Sequence, residues 1–334
     1  MSNLYPLKFQ PIFRRYIWGG RRLATQLGKP IGSGNDYAES WEIVDHGKDQ
    51  SIVESGPLQG TKLSELIRSQ PAELLGKRVA AAISNPHLPA SLKNRFPLLV
   101  KFLDANRDLS VQVHPNDEQA SQLHPPDLGK TEAWIVMAAE PGSKIYAGLK
   151  THVDRETFVQ AIADNRIEET LHCFEPKPGD CVFIPAGTIH ALGAGLLVAE
   201  IQQTSDTTFR LFDWNRLGAD GQPRELHVEA ALSVIDFDRG PVNPISTPEH
   251  SSAEIQTLVK CDKFTIERHQ ISSAVSLETA GCFRMISVIK GAIRVSGDPS
   301  GKPLQTGQTM LVPACLGSFH VEPIDSADII LAWA

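Results

Sequence analysis

The chain has 334 residues, 41% of them hydrophobic and 21% charged, so it can bury a substantial core, and its length favours two domains. Its net charge of −7 argues against a broad nucleic-acid-binding surface, which needs clustered positive charge. No apolar run is long enough to span a membrane as a helix, and Met1 to Gln10 lack the pattern of a signal peptide. The five cysteines are scattered without a CxxC pair, which predicts reduced thiols and a cytoplasmic location. From the charge and the lack of a long apolar run we expect no nucleic-acid and no membrane partner.

The N-terminal part of the chain is predicted to contain short strands and then a helical insertion. Residues 5–60 alternate short apolar runs with Gly, Pro and Asp, which is typical of short strands. Thr61 is expected to cap a first helix, and Pro71 is expected to start a second one. We therefore expect a small helical insertion over about 61–95.

The remainder of the chain is predicted to be mostly β. From Phe96 to Trp214 the pattern is that of strands, interrupted by short helices over about 154–174, where apolar residues have helical spacing. Residues 236–252 are rich in Pro, Asp, Ser and Gly, which predicts a domain boundary. From Ala253 to Ala334 short strands and turns return, as in a sandwich or barrel.

A weak internal repeat relates the two predicted domains. In both 178–190 and 306–320 a glycine turn precedes a strand that ends in proline, and a histidine follows. The second copy has Cys315 where the first has a glycine, and the upstream segment from Met285 to Val295 carries no candidate ligand. We therefore predict two related β-barrel domains, 1–238 with a metal and 239–334 without one. The second is expected to pack on the first and cover apolar surface; chance similarity of the two segments is the alternative.

Separate strand-like segments carry side chains suited to binding a metal ion. Side chains alternate along a strand, so Ser110, Gln112 and His114 point to one face. A plain exposed face would explain this strand alone, but Glu132 and His190 lie on two other strand-like segments. The two histidines and Glu132, with Gln112 as a weaker ligand or a positioning group, would suit Zn²⁺, Fe²⁺, Mn²⁺ or Ni²⁺.

Basic side chains accompany these candidate ligands. Lys130 shares the face of Glu132 on one strand. Lys101 lies in an otherwise apolar strand, so it either extends to the surface or faces a functional anion. Glu200 and Arg210 could approach His190 across the sheet, where an arginine suits a phosphate or a developing oxyanion. A simple salt bridge between Glu200 and Arg210 is the alternative.

Several blocks of the sequence resemble one known family. The segment from Gly179 to His190 looks like the second cupin motif, with Ala194 in place of its usual terminal Asn. Further characteristic blocks are Trp18-Gly19-Gly20, Glu39-Ser40-Trp41-Glu42, Phe96 to Ala105, Val111 to Asp117, Gly129 to Glu132, Pro185 to Ala191 and Gln203 to Trp214. In these blocks, over about residues 11–216, the chain resembles type I mannose-6-phosphate isomerases in their short bacterial form, and beyond Val228 the resemblance is one of architecture only.

The resemblance implies two cupin (jelly-roll) domains and a cytosolic enzyme that interconverts mannose 6-phosphate and fructose 6-phosphate. It also implies one Zn²⁺ per chain and a phosphosugar as the substrate, while a monomer and a homodimer both stay open. The family's zinc ligands fall on Gln112, His114, Glu132 and His190. Its catalytic arginine falls on Arg210, and its substrate-pocket positions fall on Trp18, Lys101, Ser110, Lys130 and Glu200.

The implied reaction fits these residue types. Aldose–ketose isomerisation moves a proton between C2 and C1 through a cis-enediol, and it needs a base, an electrophile and phosphate anchors. The metal would polarise the sugar oxygens, and Arg210 would stabilise the enediolate or position the sugar. Glu200 or a metal-bound water would carry the proton with help from Lys130, and Lys101 would help to hold the anion.

Two other functions are compatible with the same pattern. The first is a non-catalytic cupin that binds a sugar phosphate, but a binding protein need not keep the metal ligands. The second is another metal-dependent cupin reaction, such as that of an Fe²⁺ dioxygenase. A glutamine among the ligands and the surrounding Lys and Arg side chains favour a phosphosugar instead. Iron content and oxygen consumption would distinguish the dioxygenase.

Overall fold

The computed structural model of the chain describes residues 3–218, 221–246 and 255–334. Strands predominate over helices in these ranges, so the predicted mainly β class is confirmed. Every helix found there is too short or insufficiently apolar to cross a membrane.

The strands and helices alternate in the order expected of a β protein with a helical insertion. The strands are β1 (Leu7–Lys8), β2 (Ile12–Gly20), β3 (Tyr37–Ile43), β4 (Asp45–His46), β5 (Asp49–Gln50), β6 (Leu98–Ala105), β7 (Val111–Val113), β8 (Glu132–Ala139), β9 (Ile145–Leu149), β10 (Leu171–Phe174), β11 (Cys181–Ile184), β12 (His190–Leu192), β13 (Leu196–Gln203), β14 (Phe209–Phe212), β15 (Ile255–Lys260), β16 (Thr265–Ile271), β17 (Val275–Glu278), β18 (Arg284–Val295), β19 (Leu304–Gln305), β20 (Thr309–Val312) and β21 (Ser318–Trp333). The α-helices are α1 (Arg22–Thr25), α2 (Leu63–Ser69), α3 (Pro71–Leu75), α4 (Lys77–Ile83), α5 (Asp117–Ser121), α6 (Arg155–Ala163) and α7 (Val228–Val234).

Two antiparallel sheets in the N-terminal part of the chain pack face to face. One has six strands in the order β11-β8-β13-β6-β3-β2, and the other has five in the order β10-β9-β12-β7-β14. Val136 and Val198 of the first sheet pack with Ile145 and Leu192 of the second in one apolar cluster. The inner faces of both sheets therefore line one shared interior, as in a jelly roll.

The outer face of the six-stranded sheet is covered as well. Strands β6 and β13 are buried along their whole length. Phe102 and Ile201 on these strands pack with Leu74 of the helical insertion and Phe283 of the C-terminal part. The expectation that the C-terminal part covers apolar surface is therefore confirmed, and it explains why the outer faces of these strands are apolar.

The C-terminal strands form a third sheet. Its order is β1-β20-β18-β21-β16-β15, with β17 paired to β21 and β19 paired to β18. The N-terminal strand β1 belongs to this sheet, because Leu7 pairs with Leu311 of β20. The first and last parts of the chain are thus joined by backbone hydrogen bonds.

Backbone pairing also crosses the predicted boundary between residues 238 and 239. Ile245 forms a bridge with Cys181 of β11, so part of the Pro-rich segment pairs with the six-stranded sheet. Residues 247–252 of that segment lie outside the described residues. The division into two domains stays a prediction.

The predicted helical insertion over 61–95 is present, with two local differences. The N-cap of α2 is Lys62 rather than Thr61, because the Thr61 carbonyl accepts a hydrogen bond from the Val53 amide instead. The helix expected to run on from Pro71 ends at Gly76 and restarts as α4. Gly76 has a φ of +90°, which a continuous right-handed helix cannot contain.

The segment predicted as short helices over 154–174 is only partly helical. It contains α6 and a 3₁₀ turn over Ile167–Thr170, and its last residues form strand β10. Cys173 of β10 pairs with Tyr146 at the edge of the five-stranded sheet. Apolar spacing reports local periodicity alone, so it could not reveal this pairing with a distant strand.

A buried carboxylate anchors the loop that precedes β14. Asp127 accepts hydrogen bonds from the Ser205 and Thr207 hydroxyls, both at 3.0 Å. Burial would raise the pKa of Asp127, but hydrogen bonds from His46, Ser205 and a backbone amide hold that pKa well below its usual range. The Thr207 carbonyl in turn lies 2.9 Å from Nδ1 of His114. Asp127 therefore helps to fix the position of that imidazole.

We expect Gly76→Ala to lower the free energy of unfolding more than Gly60→Ala does. Both glycines have a positive φ, +90° and +86°, so either substitution strains the backbone, by about 1–3 kcal/mol. Only at Gly76 would the added Cβ meet the backbone, 1.9 Å from the Gly281 carbonyl oxygen. Urea denaturation should show an extra loss of more than about 1 kcal/mol for Gly76→Ala. Equal losses in the two variants would contradict the close approach.

We expect Asp127→Asn to lower the free energy of unfolding at pH 7 by about 2–4 kcal/mol, because hydrogen bonds to a buried charge are lost. The pKa is lowered in the folded chain, so this stabilisation is complete above the unfolded pKa of about 4 and declines below it. Urea denaturation should therefore show a smaller gap between parent and variant at pH 3 than at pH 7. Asp164→Asn, at an exposed carboxylate, is the control. A gap that is independent of pH would refute this role of Asp127.

Candidate active site

A pocket of about 290 Å³ opens between the inner faces of the five- and six-stranded sheets. Its walls combine side chains from both sheets with residues of the loops beside them. The predicted site residues that line it are Trp18, Lys101, Ser110, Gln112, Lys130, His190, Glu200 and Arg210. The structure thus brings these residues together from strands that are far apart in sequence.

The two remaining predicted residues, His114 and Glu132, join His190 in a compact buried cluster. One candidate ligand atom from each of the three side chains lies within 4.8 Å of the others. Glu132 Oε2 lies 3.6 Å from His114 Nε2, and Glu132 Oε1 lies 3.4 Å from His190 Nε2. In the described part of the chain no second cluster of this kind occurs.

The imidazoles of this cluster are oriented by backbone carbonyls. His114 Nδ1 lies 2.9 Å from the Thr207 carbonyl, and His190 Nδ1 lies 2.8 Å from the Thr188 carbonyl. Burial holds the pKa of His114 well below its usual value and lowers the pKa of His190 to about 4. Both rings are therefore neutral at pH 7, with Nδ1–H donating to the carbonyl and a lone pair on Nε2. This is the arrangement of metal-binding histidines.

The position of His190 depends on the turn that precedes β12. Gly187 has a φ of +84°, and a Cβ there would lie 3.1 Å from the Val234 carbonyl oxygen. The Gly187 amide donates to the His114 carbonyl at 2.9 Å. A glycine is therefore needed to bring the turn against the segment that carries His114, the other candidate histidine ligand.

Gln112 lies beside the histidine pair. It is directly opposite His190 in the sheet, and its side-chain amide lies 3.4 Å from His190 Nε2. The nitrogen and oxygen of an amide can be exchanged by a side-chain flip, so Gln112 can present its oxygen to the same point. Ser110 lies next along this face and donates to the Gln112 oxygen at 3.3 Å.

Glu132 carries a charge that its surroundings only partly compensate. Burial raises the pKa of Glu132 to about 7, although the nearby ammonium group of Lys130 acts in the opposite direction. Lys130 Nζ lies 3.1 Å from Glu132 Oε2. A cation bound between this carboxylate and the two imidazoles would favour its ionised form.

Lys101 is buried between two carboxylates, so the interpretation that it extends to the surface is wrong. Its Nζ lies 3.8 Å from Glu39 and 3.4 Å from Glu200. Burial would lower the pKa of Lys101, but the two carboxylates raise it, so the group is an ammonium ion. The charges of Lys101 and Lys130 likewise outweigh burial and lower the pKa of Glu200. Trp134 Nε1 donates to Glu200 at 3.1 Å and orients it.

Arg210 lies on β14, directly opposite Gln112. Its guanidinium donates to the Ser110 hydroxyl at 3.3 Å and to the Glu225 carbonyl at 2.9 Å. Among the described residues it forms no salt bridge with Glu200, so the alternative interpretation of these two residues is wrong.

Nine residues that the sequence did not identify as site residues also line the pocket. They are Tyr16, Glu39, Leu103, Leu109, Trp134, Leu192, Asp206, Thr208 and Arg224. Alternation along β3 could have indicated Glu39, because β3 lies next to the strand that carries Lys101. Arg224 lies outside any strand or helix, so no periodicity marks it.

Comparison with known proteins agrees with this geometry. A family model described as "Phosphomannose isomerase type I, catalytic domain" matches residues 6–132, and one described as "Mannose-6-phosphate isomerase, cupin domain" matches residues 254–330. Mannose-6-phosphate isomerase ManA of Bacillus subtilis is 37% identical, with 95% of this chain and 96% of the relative covered. Mannose-6-phosphate isomerase of Streptococcus mutans is 34% identical, with 95% of both chains covered.

A solved structure gives the same result for the fold. The crystal structure of the mannose 6-phosphate isomerase from Bacillus subtilis superimposes with a TM-score of 0.84 at 30% identity. The match covers 98% of this chain and 99% of that one, and the predicted cupin architecture is confirmed. Similarity of this extent over nearly the whole length shows that the chain belongs to the type I mannose-6-phosphate isomerase family, a family of isomerase enzymes.

Proposed function

We propose that the chain is a metal-dependent aldose–ketose isomerase that interconverts D-mannose 6-phosphate and D-fructose 6-phosphate through a cis-enediol. The observation that carries the proposal is the buried cluster of His114, Glu132 and His190, which reaches through His190 the wall of a pocket that also contains lysine and arginine side chains. A binding site for a neutral sugar needs no such concentration of charge. The names of the most similar relatives support the same substrate pair.

We propose Zn²⁺ as the metal, held by Gln112, His114, Glu132 and His190. The donor set of two neutral imidazoles and a carboxylate suits zinc. His114 Nε2 is buried and has no hydrogen-bond partner among the described residues. When bound, the metal would act as a Lewis acid that polarises the sugar oxygens.

Glu200 is the group we propose to move the proton between C2 and C1. It lies on the inner face of the six-stranded sheet, opposite the sheet that carries His190 and Arg210. The charge of Lys101 keeps Glu200 ionised, so it can accept a proton, and the Trp134 indole fixes its orientation. The low pKa favours return of that proton to the adjacent carbon.

The basic side chains have distinct proposed roles. Arg210 would stabilise the negative charge that develops on the enediolate oxygen, because a fixed guanidinium needs no reorganisation as the charge forms. Lys130 would assist proton transfer beside Glu132, and Lys101 would hold Glu200 in place. Trp18 and Ser110 would contact the sugar. We also propose that the protein is cytoplasmic and that it is either a monomer or a homodimer.

Zinc removal should abolish the proposed activity reversibly. A coupled assay with mannose 6-phosphate should lose its signal after chelator treatment and regain it with added Zn²⁺. His114→Gln should lower zinc content and activity together, because one of the ligands is lost, while His87→Gln, at an exposed histidine, should change neither. A folded, zinc-replete chain without isomerase activity would refute the proposal and favour a sugar-phosphate-binding cupin.

Arg210→Ala should lower kcat by about 100- to 1000-fold, the typical loss when one donor to a developing oxyanion is removed. Zinc content should stay at the parent level, because Arg210 is not among the proposed ligands. Arg166→Ala, at an exposed arginine paired with Asp164, is the control for the loss of one positive charge. Near-normal turnover by Arg210→Ala would show that the assignment is wrong.

A further inference from the structure

Two arginines share one buried carboxylate beside the pocket. Asp213 accepts hydrogen bonds from Arg224 Nε at 2.7 Å and from Arg216 Nη2 at 2.6 Å. The rest of the Arg216 guanidinium donates to the backbone carbonyls of Asp213 and Asp108. Arg224 lines the pocket instead, and its Nη1 has no hydrogen-bond acceptor among the described residues.

The arginines around Asp213 carry more positive charge than this carboxylate can balance. Arg210, Arg216 and Arg224 carry three charges against the single charge of Asp213, a balance of two. Glu225 is nearby, but its side chain is 84% exposed and therefore well screened by solvent. Burial lowers the pKa of Arg210, and the charges of Arg224 and Arg216 lower it further, so the guanidinium groups repel one another. A dianion would relieve this repulsion.

The positive charges on the lysine side of the pocket, by contrast, are balanced by nearby carboxylates. Lys101 lies 3.4 Å from Glu200, and Lys130 lies 3.1 Å from Glu132. Asp206 adds further negative charge that acts on Lys101. The lysines are thus compensated by carboxylates of the chain itself, whereas the arginines are not. An incoming anion would gain more from the arginine side.

The order of residues across the five-stranded sheet shows at which end of the pocket the uncompensated positive charge lies. His190, Gln112 and Arg210 lie directly opposite one another on three neighbouring strands, so their side chains share one face. The metal ligands are at one end of this row and Arg210 is at the other. Arg224 joins Arg210 in the pocket wall. A six-carbon sugar with its reacting carbons between the metal and Arg210 would carry its 6-phosphate towards Arg224.

We propose that Arg224, held in place by Asp213, binds the phosphate group of the substrate and makes the site specific for phosphorylated sugars. This inference rests on the proposed function, because that function supplies a substrate with a phosphate at one end. A phosphate monoester carries a charge of about −1.5 to −2 at pH 7 and accepts hydrogen bonds from a planar guanidinium. The charge therefore matches the excess on the arginines, and Nη1 of Arg224 is the donor available to it.

The test compares Arg224→Met with the parent chain, both loaded with zinc. Arg216 still pairs with Asp213 in this variant, so the buried carboxylate keeps a partner. We expect KM for mannose 6-phosphate, and the dissociation constant of inorganic phosphate measured by calorimetry, to rise about 10- to 100-fold. We expect kcat to change by less than about threefold, because phosphate binding is shared by ground and transition states. Arg224→Lys should show an intermediate loss, since it keeps the charge but not the planar fork.

Arg166→Met serves as the control for the change in net charge and should leave KM and phosphate binding unaltered. Unchanged KM and phosphate affinity in Arg224→Met would overturn the proposal. The proposal would also be overturned if kcat, zinc content and melting temperature all fell in Arg224→Met while KM stayed unchanged. That result would show that Arg224 has a structural role. The calorimetric measurement does not depend on turnover. If the parent chain has no isomerase activity, weaker phosphate binding by Arg224→Met still supports this anion site, although the proposed function fails.

Discussion

The site depends on burying several charged side chains between two sheets, where each charge needs a partner. An unpaired ionised group in such an interior costs several kcal/mol, so the pairing decides which groups stay ionised. Lys101 and Glu200 keep each other charged, and Glu39 completes the balance around the lysine. Glu132 is the exception, because Lys130 does not fully offset its burial and its pKa is about 7. The cluster therefore favours a cation at the point where the imidazole lone pairs also converge.

The covering of the outer face makes this arrangement possible. Strands β6 and β13 carry Lys101 and Glu200 inward and apolar side chains such as Phe102 outward. Those outward side chains pack against the helical insertion and the C-terminal strands, which removes them from water. Burying these apolar side chains contributes favourable free energy, which offsets the cost of burying the charged side chains on the inner face. The parts of the chain that lie far from the pocket thus support it energetically.

The sequence predicted eight of the residues that line the pocket, because strand alternation determines which side chains share a face. Ser110, Gln112 and His114 follow this alternation, and the family resemblance supplied the partners from other strands. Contacts that arise from irregular segments or from distant parts of the chain could not be predicted in this way. Arg224 reaches the pocket from a segment without periodicity, and the helix break at Gly76 follows from its approach to the C-terminal part of the chain.

The loop before β14 couples the candidate metal-binding cluster to the opposite wall of the pocket. Thr207 receives the Nδ1–H of His114 through its carbonyl, while its neighbour Asp206 lines the pocket and acts on the charge of Lys101. Asp127 holds both residues, because it accepts from the Thr207 hydroxyl and from the Asp206 amide. One buried carboxylate outside the pocket therefore sets the geometry of an imidazole and of a charged wall residue together. The orientation of the His114 imidazole and the negative charge that Asp206 places near Lys101 therefore both depend on Asp127.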